Sequence, residues 1–322
     1  MNVPAILLIL ALAVASVTQT PAPVPEGSAP GVGRALERAD AELQAGRRAA
    51  AKGLLASAAE RFTSVRALMQ LARLQSEDGE AANALATLDR ARTLAPNAEE
   101  VLSAIAQVSL ATRRPVLAIL ALEPLTRLAP SVAQHHYLLG VALMQAGDML
   151  AAVEALEEAR RLDPAHSLTA IALGIAFNNR KMFVEAKPVL ERVIERDPDN
   201  VEATAALAET EEGLGNLDSA DTHAARALAA APNHPTAQLA LGMVLMKRGR
   251  HADARAALEL AAAADPESPK IYYQLSLAAA RLGDAKGSAR NRELYQQKLR
   301  AMESRIEELR RAGMPSRGEM PK

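Results

Sequence analysis

The chain has 322 residues, of which 49% are hydrophobic but only 2% aromatic, and its 37 basic and 38 acidic side chains give a net charge of −1. This balance, with no basic stripe interleaved with aromatic residues, argues against binding to nucleic acid or to an anionic membrane surface. The absence of Cys excludes disulfides, thiolate chemistry and zinc held by cysteine.

The N-terminus has the features of an export signal. An apolar run extends from Ala5 to Val17. A helix needs about 20 residues to cross a bilayer, so this run is too short to span one. Small residues at 13–15 suit a cleavage site, although 1–4 contain no Lys or Arg. We therefore predict a signal peptide over 1–15 and a periplasmic or secreted protein; an uncleaved N-terminal anchor is the alternative. Residues 16–33, rich in Pro, Gly and Ala, are predicted to form a linker.

A ladder of prolines at intervals of 34 residues follows the linker: Pro96, Pro130, Pro164, Pro198, Pro232 and Pro266. Proline cannot continue a helix interior, so each one marks the end of a unit. Small residues recur in the same phase, each preceded by Leu or Ile: Ala72, Ala106, Gly140, Gly174, Ala208, Gly242 and Ser276. A small residue at this position predicts close approach of a neighbouring helix. Glycine recurs at mid-unit, where helix ends favour a positive φ: Gly79, Gly147, Gly215, Gly249 and Gly283.

These columns resemble the tetratricopeptide repeat, with the best match over residues 133–166. The resemblance implies an all-α fold, a right-handed superhelical solenoid of antiparallel helix pairs with seven to eight repeats. It also implies a concave groove lined mainly by the first helix of each pair. We predict a degenerate first repeat at 34–64, the solenoid at 65–284, the last repeat helix and a capping helix at 285–312, and a disordered tail at 313–322.

Two departures from the repeat pattern carry predictions. Arg113 and Lys181 stand where other units have the mid-unit glycine, so these two turns are predicted to adopt a different geometry. The unit at 201–234 has Thr204, Glu211 and Ala224 where larger apolar groups are expected. Since each unit is stabilised by its neighbours, this unit is predicted to open first.

Projecting the first helices gives the residues predicted to line a peptide groove: Tyr137, Val141, Met144, Ile171, Ile175, Asn178, Asn179, Leu239, Met243 and Met246. Flexible methionines beside aliphatic residues suit adaptable binding of an apolar segment. The alternatives are packing against neighbouring helices, or a C-terminal helix that folds into the groove. The two asparagines either bond to a peptide backbone or belong to a helix end.

Two charged segments remain open to alternatives. The acidic residues Glu202, Glu209, Glu211 and Glu212 indicate a solvated face, or else a site for a basic partner. The C-terminal helix carries one apolar seam along a polar surface: Tyr295, Leu299, Met302, Ile306 and Leu309. This seam is predicted to cover the last unit of the solenoid, and a short coiled-coil contact between two copies is the alternative.

No residue pattern points to catalysis, to a cofactor or to a metal. The six histidines lack chelating spacing, and the Gly-x-Gly sequences lie in the linker and in a repeat turn. We predict a non-catalytic scaffold or adaptor of the bacterial-type cell envelope that binds a protein or peptide partner through its groove. The expectation includes no nucleic acid and no stable membrane span after signal cleavage. The alternative is a structural protein that self-associates through the C-terminal helix as a weak homo-oligomer.

Overall fold

The computed structural model describes residues 30–312. The predicted signal peptide, most of the linker and the predicted disordered tail therefore lie outside the described residues. Within this range the chain forms sixteen helices: α1 (Pro30–Gln44), α2 (Arg48–Phe62), α3 (Val65–Glu77), α4 (Ala81–Leu94), α5 (Glu99–Ala111), α6 (Pro115–Leu128), α7 (Ala133–Ala146), α8 (Met149–Leu162), α9 (Ser167–Asn179), α10 (Phe183–Arg196), α11 (Val201–Leu214), α12 (Leu217–Ala230), α13 (Pro235–Lys247), α14 (His251–Ala264), α15 (Pro269–Arg281) and α16 (Ala285–Arg311).

The helices follow one another as eight antiparallel pairs, and residues 30–312 contain no strand. The predicted all-α fold of antiparallel helix pairs is confirmed. The first pair begins earlier than predicted, because residues 30–33 form the first turn of α1 and not the end of a linker. Pro30 suits this position, since its fixed φ is that of a helix and the N–H it lacks would have no partner in the first turn.

The described chain divides into two compact units, one ending at Leu138 and the other beginning at Leu139, and each is treated by itself below. In both units the ladder prolines lie in the loops that join one pair to the next. The residue before each ladder proline has φ between −129° and −137° and ψ between 71° and 88°. Steric clash with the proline ring disfavours the helical region for this residue, so every second helix ends at the same position of its repeat.

The recurrent small residue sets the distance between the two helices of a pair. A Cβ built on Gly140, Gly174 or Gly242 would lie 2.5–2.7 Å from the nearest atom of a leucine on the second helix of the same pair. These leucines are Leu156, Leu190 and Leu258, all fully buried. A larger side chain would push the helices apart, so the predicted close approach is confirmed.

The mid-repeat turns correct one prediction. Arg113 and Lys181 have φ of 54° and 59°, in the same left-handed region as Gly147 and Gly215. The predicted difference in turn geometry is therefore wrong. The reason lies in the hydrogen bonds, because this residue donates its N–H to a carbonyl three residues back and the next residue donates to one five back. The pattern is the same at Lys181 as at Gly215, and it imposes a positive φ on the backbone of either residue.

No helix within residues 30–312 has both the length and the apolar character that crossing a bilayer requires.

Candidate binding surface

Residues 139–312 contain an inner face, which we define as the surface that the first helices α9, α11, α13 and α15 share. Each of these helices packs on the next first helix as well as on its own partner. Lys270 at the start of α15 reaches past α13 to Glu209 of α11, with 2.5 Å between Nζ and Oε1. Since this ion pair joins helices two repeats apart, both residues lie on the side that the first helices enclose. Residues 34 positions before or after Glu209 lie on the same face of the neighbouring first helices, and we call such a set of equivalent positions a column.

The predicted groove residues in this unit differ in exposure. Val141, Met144, Ile171 and Leu239 are buried, whereas Ile175, Met243 and Met246 are partly exposed. Met243 and Met246 pack against the apolar cluster around Leu239. Ile175 and Met243 occupy the same column of the inner face as Glu209. Contact of these residues with a peptide stays a prediction.

Tyr137 belongs to the other unit, and its side chain is only 1% exposed. Burial raises the pKa of its hydroxyl well above the ordinary range, because the phenolate would lose its hydration. A ligand could reach Tyr137 only after a rearrangement of its surroundings.

The columns of the inner face also contain two residues that the sequence-based list missed. Tyr273 continues the column of Ile171 and Leu239, and Leu277 continues that of Ile175 and Met243. Both are exposed on α15, at 44% and 38%. The ring of Tyr273 lies 5.5 Å from that of Tyr295, in a tilted arrangement. The signal was present in the sequence, because the 34-residue spacing leads directly from Leu239 and Met243 to these two positions.

The two predicted asparagines have different surroundings. Asn178 is buried, its Nδ2 donates to the carbonyl of Ala206 at 2.9 Å, and its Oδ1 accepts from the hydroxyl of Thr210 at 2.9 Å. These bonds join α9 to α11. A peptide could bond to Asn178 only by breaking them, whereas Asn179 is exposed at the end of α9.

The acidic residues of α11 correct the prediction of a solvated face, because Glu209, Glu211 and Glu212 are buried. Each carboxylate is paired with a lysine of another helix, at 2.5 Å to Lys270, 2.8 Å to Lys187 and 2.8 Å to Lys247, respectively. The fourth, Glu202, lies 3.1 Å from Nε2 of His234. The three lysines occupy the positions that a basic partner was expected to take.

The environment of Glu211 shows how burial and pairing compete. Burial acts to raise the pKa of this carboxyl, but hydrogen bonds from Lys187 and Asn216 outweigh it and leave the pKa below its ordinary value. Glu211 is thus ionised at neutral pH. Pairing of this kind compensates for the removal of carboxylates from water.

Within residues 30–312 no three side chains of His, Asp or Glu converge as metal ligands. The inner face offers apolar contact from methionine, isoleucine, leucine and tyrosine, bordered by neutralised ion pairs. Such a surface can bind an apolar segment of another polypeptide.

Comparisons with known proteins agree with the repeat structure. Profiles described as tetratricopeptide repeat match residues 66–98, 104–167, 179–243 and 213–281. A tetratricopeptide repeat protein from Parabacteroides merdae superimposes with a TM-score of 0.60 at 14% identity, covering 78% of this chain and 99% of that protein.

Two further structures are similar at TM-scores of 0.49 and 0.48. The first is YrrB, described as a TPR protein with an unusual peptide-binding site, with 23% identity over 57% of this chain and 95% of its own. The second is MamA, with 22% identity over 51% of this chain and 90% of its own. A sequence comparison with functionally characterised proteins found no match.

Proposed function

This chain belongs to the tetratricopeptide repeat family, whose members serve generally as protein–protein interaction scaffolds, and we propose that its inner face binds an apolar segment of a protein partner. The observation that carries the proposal is the recurrence of apolar side chains in one column of the inner face. Ile175, Met243 and Leu277 occupy this column on α9, α13 and α15, and all three are at least partly exposed. On α11 the column holds Glu209, whose charge Lys270 compensates. Flexible methionine side chains let such a surface adapt to the partner.

The role is that of a non-catalytic scaffold or adaptor in a bacterial-type cell envelope. The apolar run at 5–17 supports export to the periplasm or the medium, as a secretory signal does. Intact mass of the protein recovered from fractionated cells tests this part. A mass short of the first 15 residues supports cleavage and export. A full-length mass in the cytoplasmic fraction contradicts them.

Binding through the inner face is tested by crosslinking and recovery of partners from the native envelope. The test variant is Met243→Glu with Leu277→Glu, which places two charges on the apolar columns. The matched control is Val184→Glu, because Val184 is an apolar residue that is 74% exposed on the second helix α10. We expect the control to keep the partners of the wild-type protein and the test variant to lose them. Equal recovery by both variants would show that binding occurs elsewhere.

Self-association through the C-terminal helix is the alternative function. Its apolar seam is partly covered within the chain, and Leu309 is buried. Light scattering of the full chain and of one that ends at Glu293 separates the two functions. An oligomer that dissociates on truncation favours self-association, whereas a monomer in both cases favours the scaffold.

A further inference from the structure

The C-terminal helix α16 makes a contact that nearest-neighbour stacking of repeats does not require. α16 belongs to the repeat that begins at residue 269, and Gly147 lies in the turn between α7 and α8. A Cβ built on Gly147 would lie 2.5 Å from Cε of Met302, 3.2 Å from its Cβ and 3.3 Å from its Cγ. The whole Met302 side chain therefore packs on this turn. Three complete repeats separate the two residues along the chain.

The rest of α16 agrees with a docked helix. Its 27 residues span about 40 Å, far beyond the length needed to pair with the 13 residues of α15. Lys298 pairs with Glu267 at 2.7 Å, where the helix leaves its own repeat. Beyond this point Leu309 is still buried, although it lies within the last turn of a largely polar helix.

Because α16 starts at one end of the stack α8–α15 and touches the turn before α8, it runs as a chord between the two ends. A straight chord across a curved stack lies on the enclosed side, which is the side of the inner face. Repeat arrays usually couple only adjacent units, so this contact adds a link between distant ones.

The part of α16 after Met302 also contains a buried polar group without compensation. Arg305, one helical turn after Met302, has its Nε buried with no hydrogen-bond partner. Burial lowers the pKa of this guanidinium, with Glu267 acting in the opposite direction. A buried donor without a partner weakens the docking of α16, because the same donor would be hydrated if the helix were released.

We propose that α16 is a releasable cover that docks on the α7–α8 turn through Met302 and limits access to the inner face. The occupant of this surface is thus a segment of the chain itself, and a partner gains access when the segment leaves. The consequence for a partner rests on the proposed function, whereas the docking of α16 does not.

Methionine oxidation tests the cover without any partner, since hydrogen peroxide oxidises exposed sulfurs faster than buried ones and mass spectrometry resolves each site. The test variant is Gly147→Ala, whose methyl group would collide with Met302. The matched control is Gly215→Ala, because Gly215 has the same left-handed backbone, with φ of 86° against 98°, but open space around the position of a Cβ. Both variants carry the same kind of backbone strain, and only one carries the collision.

We expect Met302, Met243 and Met246 to oxidise at least about threefold faster in Gly147→Ala than in the wild-type protein and in Gly215→Ala. An unchanged rate at Met302 would overturn the docking. A faster rate at Met302 with unchanged rates at Met243 and Met246 would overturn the covering of the inner face. The oxidation rates are measured without any partner, whereas the crosslinking experiment measures partner recovery. The docking of α16 and the binding of a partner by the inner face can therefore fail independently.

A second variant keeps the test valid if Gly147→Ala does not fold, as judged by circular dichroism. Leu309→Glu places a charge at the buried residue of the last turn of α16 and so disfavours the docked position of this helix, and Glu308→Gln at the exposed neighbouring position is its control. We expect Leu309→Glu to raise the three oxidation rates and Glu308→Gln to leave them unchanged. Equal rates in both would overturn the proposal.

Discussion

Thr210 donates its hydroxyl to Oδ1 of Asn178, which lies 32 residues earlier on the preceding first helix. With the bond from Asn178 to Ala206, this interaction fixes α9 against α11 in a buried environment. We predict that Asn178→Ala lowers the free energy of unfolding by about 2 kcal/mol, because it leaves Thr210 and Ala206 without one partner each. Asn179→Ala, one residue on and exposed, should have little effect. Urea denaturation of both variants makes the comparison, and equal midpoints would contradict the role of Asn178.

Lys181 is held at a positive φ that a side chain with a Cβ disfavours. We predict that Lys181→Gly raises the free energy of unfolding by about 1 kcal/mol, since glycine adopts this conformation without steric cost. Lys181→Ala is the control, because it removes the charge and the long side chain but keeps the Cβ. Thermal denaturation should show stabilisation for the glycine variant alone. Equal stabilisation by alanine would assign the effect to the side chain.

The pair of Glu212 and Lys247 can be separated into its parts by mutation. Lys247→Met leaves a buried carboxylate without its cation and should lower the free energy of unfolding by about 2 kcal/mol. Glu212→Gln combined with Lys247→Met removes both charges and should recover most of the loss. Chemical denaturation of the single and double variants gives the coupling energy. Additive effects would show that the pair contributes no coupling.

Three buried or half-buried histidines predict a dependence of stability on pH. Burial lowers the pKa of His135, His166 and His223 below the ordinary value of about 6.5. As pH falls below about 6.5, the unfolded chain therefore binds protons that the folded chain does not yet bind, and the free energy of unfolding falls. Urea midpoints between pH 7.5 and 5 should decrease, and His223→Gln should reduce the slope. A constant midpoint would contradict this prediction.

The repeat at 201–234 is predicted to open before the neighbouring repeats. The fully buried residues of its contacts between helices are alanines, in the two clusters Ala205, Ala227 and Ala237, and Ala208, Ala224 and Ala240. The following repeats contain larger buried side chains, including Leu258, Ile271 and Leu275. Since alanine buries little apolar surface, amide hydrogens of α12 should exchange faster than those of α14. Equal protection of the two helices would contradict a soft unit.

Local rules made the fold predictable from the sequence. The prolines forbid helix continuation, and Gly140 leaves room only for a helix that approaches closely, so both effects act within one repeat. The turn at Lys181 departs from the prediction because the hydrogen bonds that close it determine its conformation more strongly than the preference of the residue does. The pairing of Glu209 with Lys270 could not be predicted in this way. These residues are 61 positions apart, and their meeting depends on the curvature of the stack.

The ion pairs of α11 have a consequence for the speed of binding. Because Lys270 and Lys247 neutralise the two carboxylates of the inner face, this surface exerts little long-range attraction on a charged partner. Association should then proceed at the rates of about 10⁵–10⁶ M⁻¹s⁻¹ that are usual without electrostatic steering. Ionic strength should change these rates only slightly, so that the lifetime of the complex, set by apolar contact, distinguishes one partner from another.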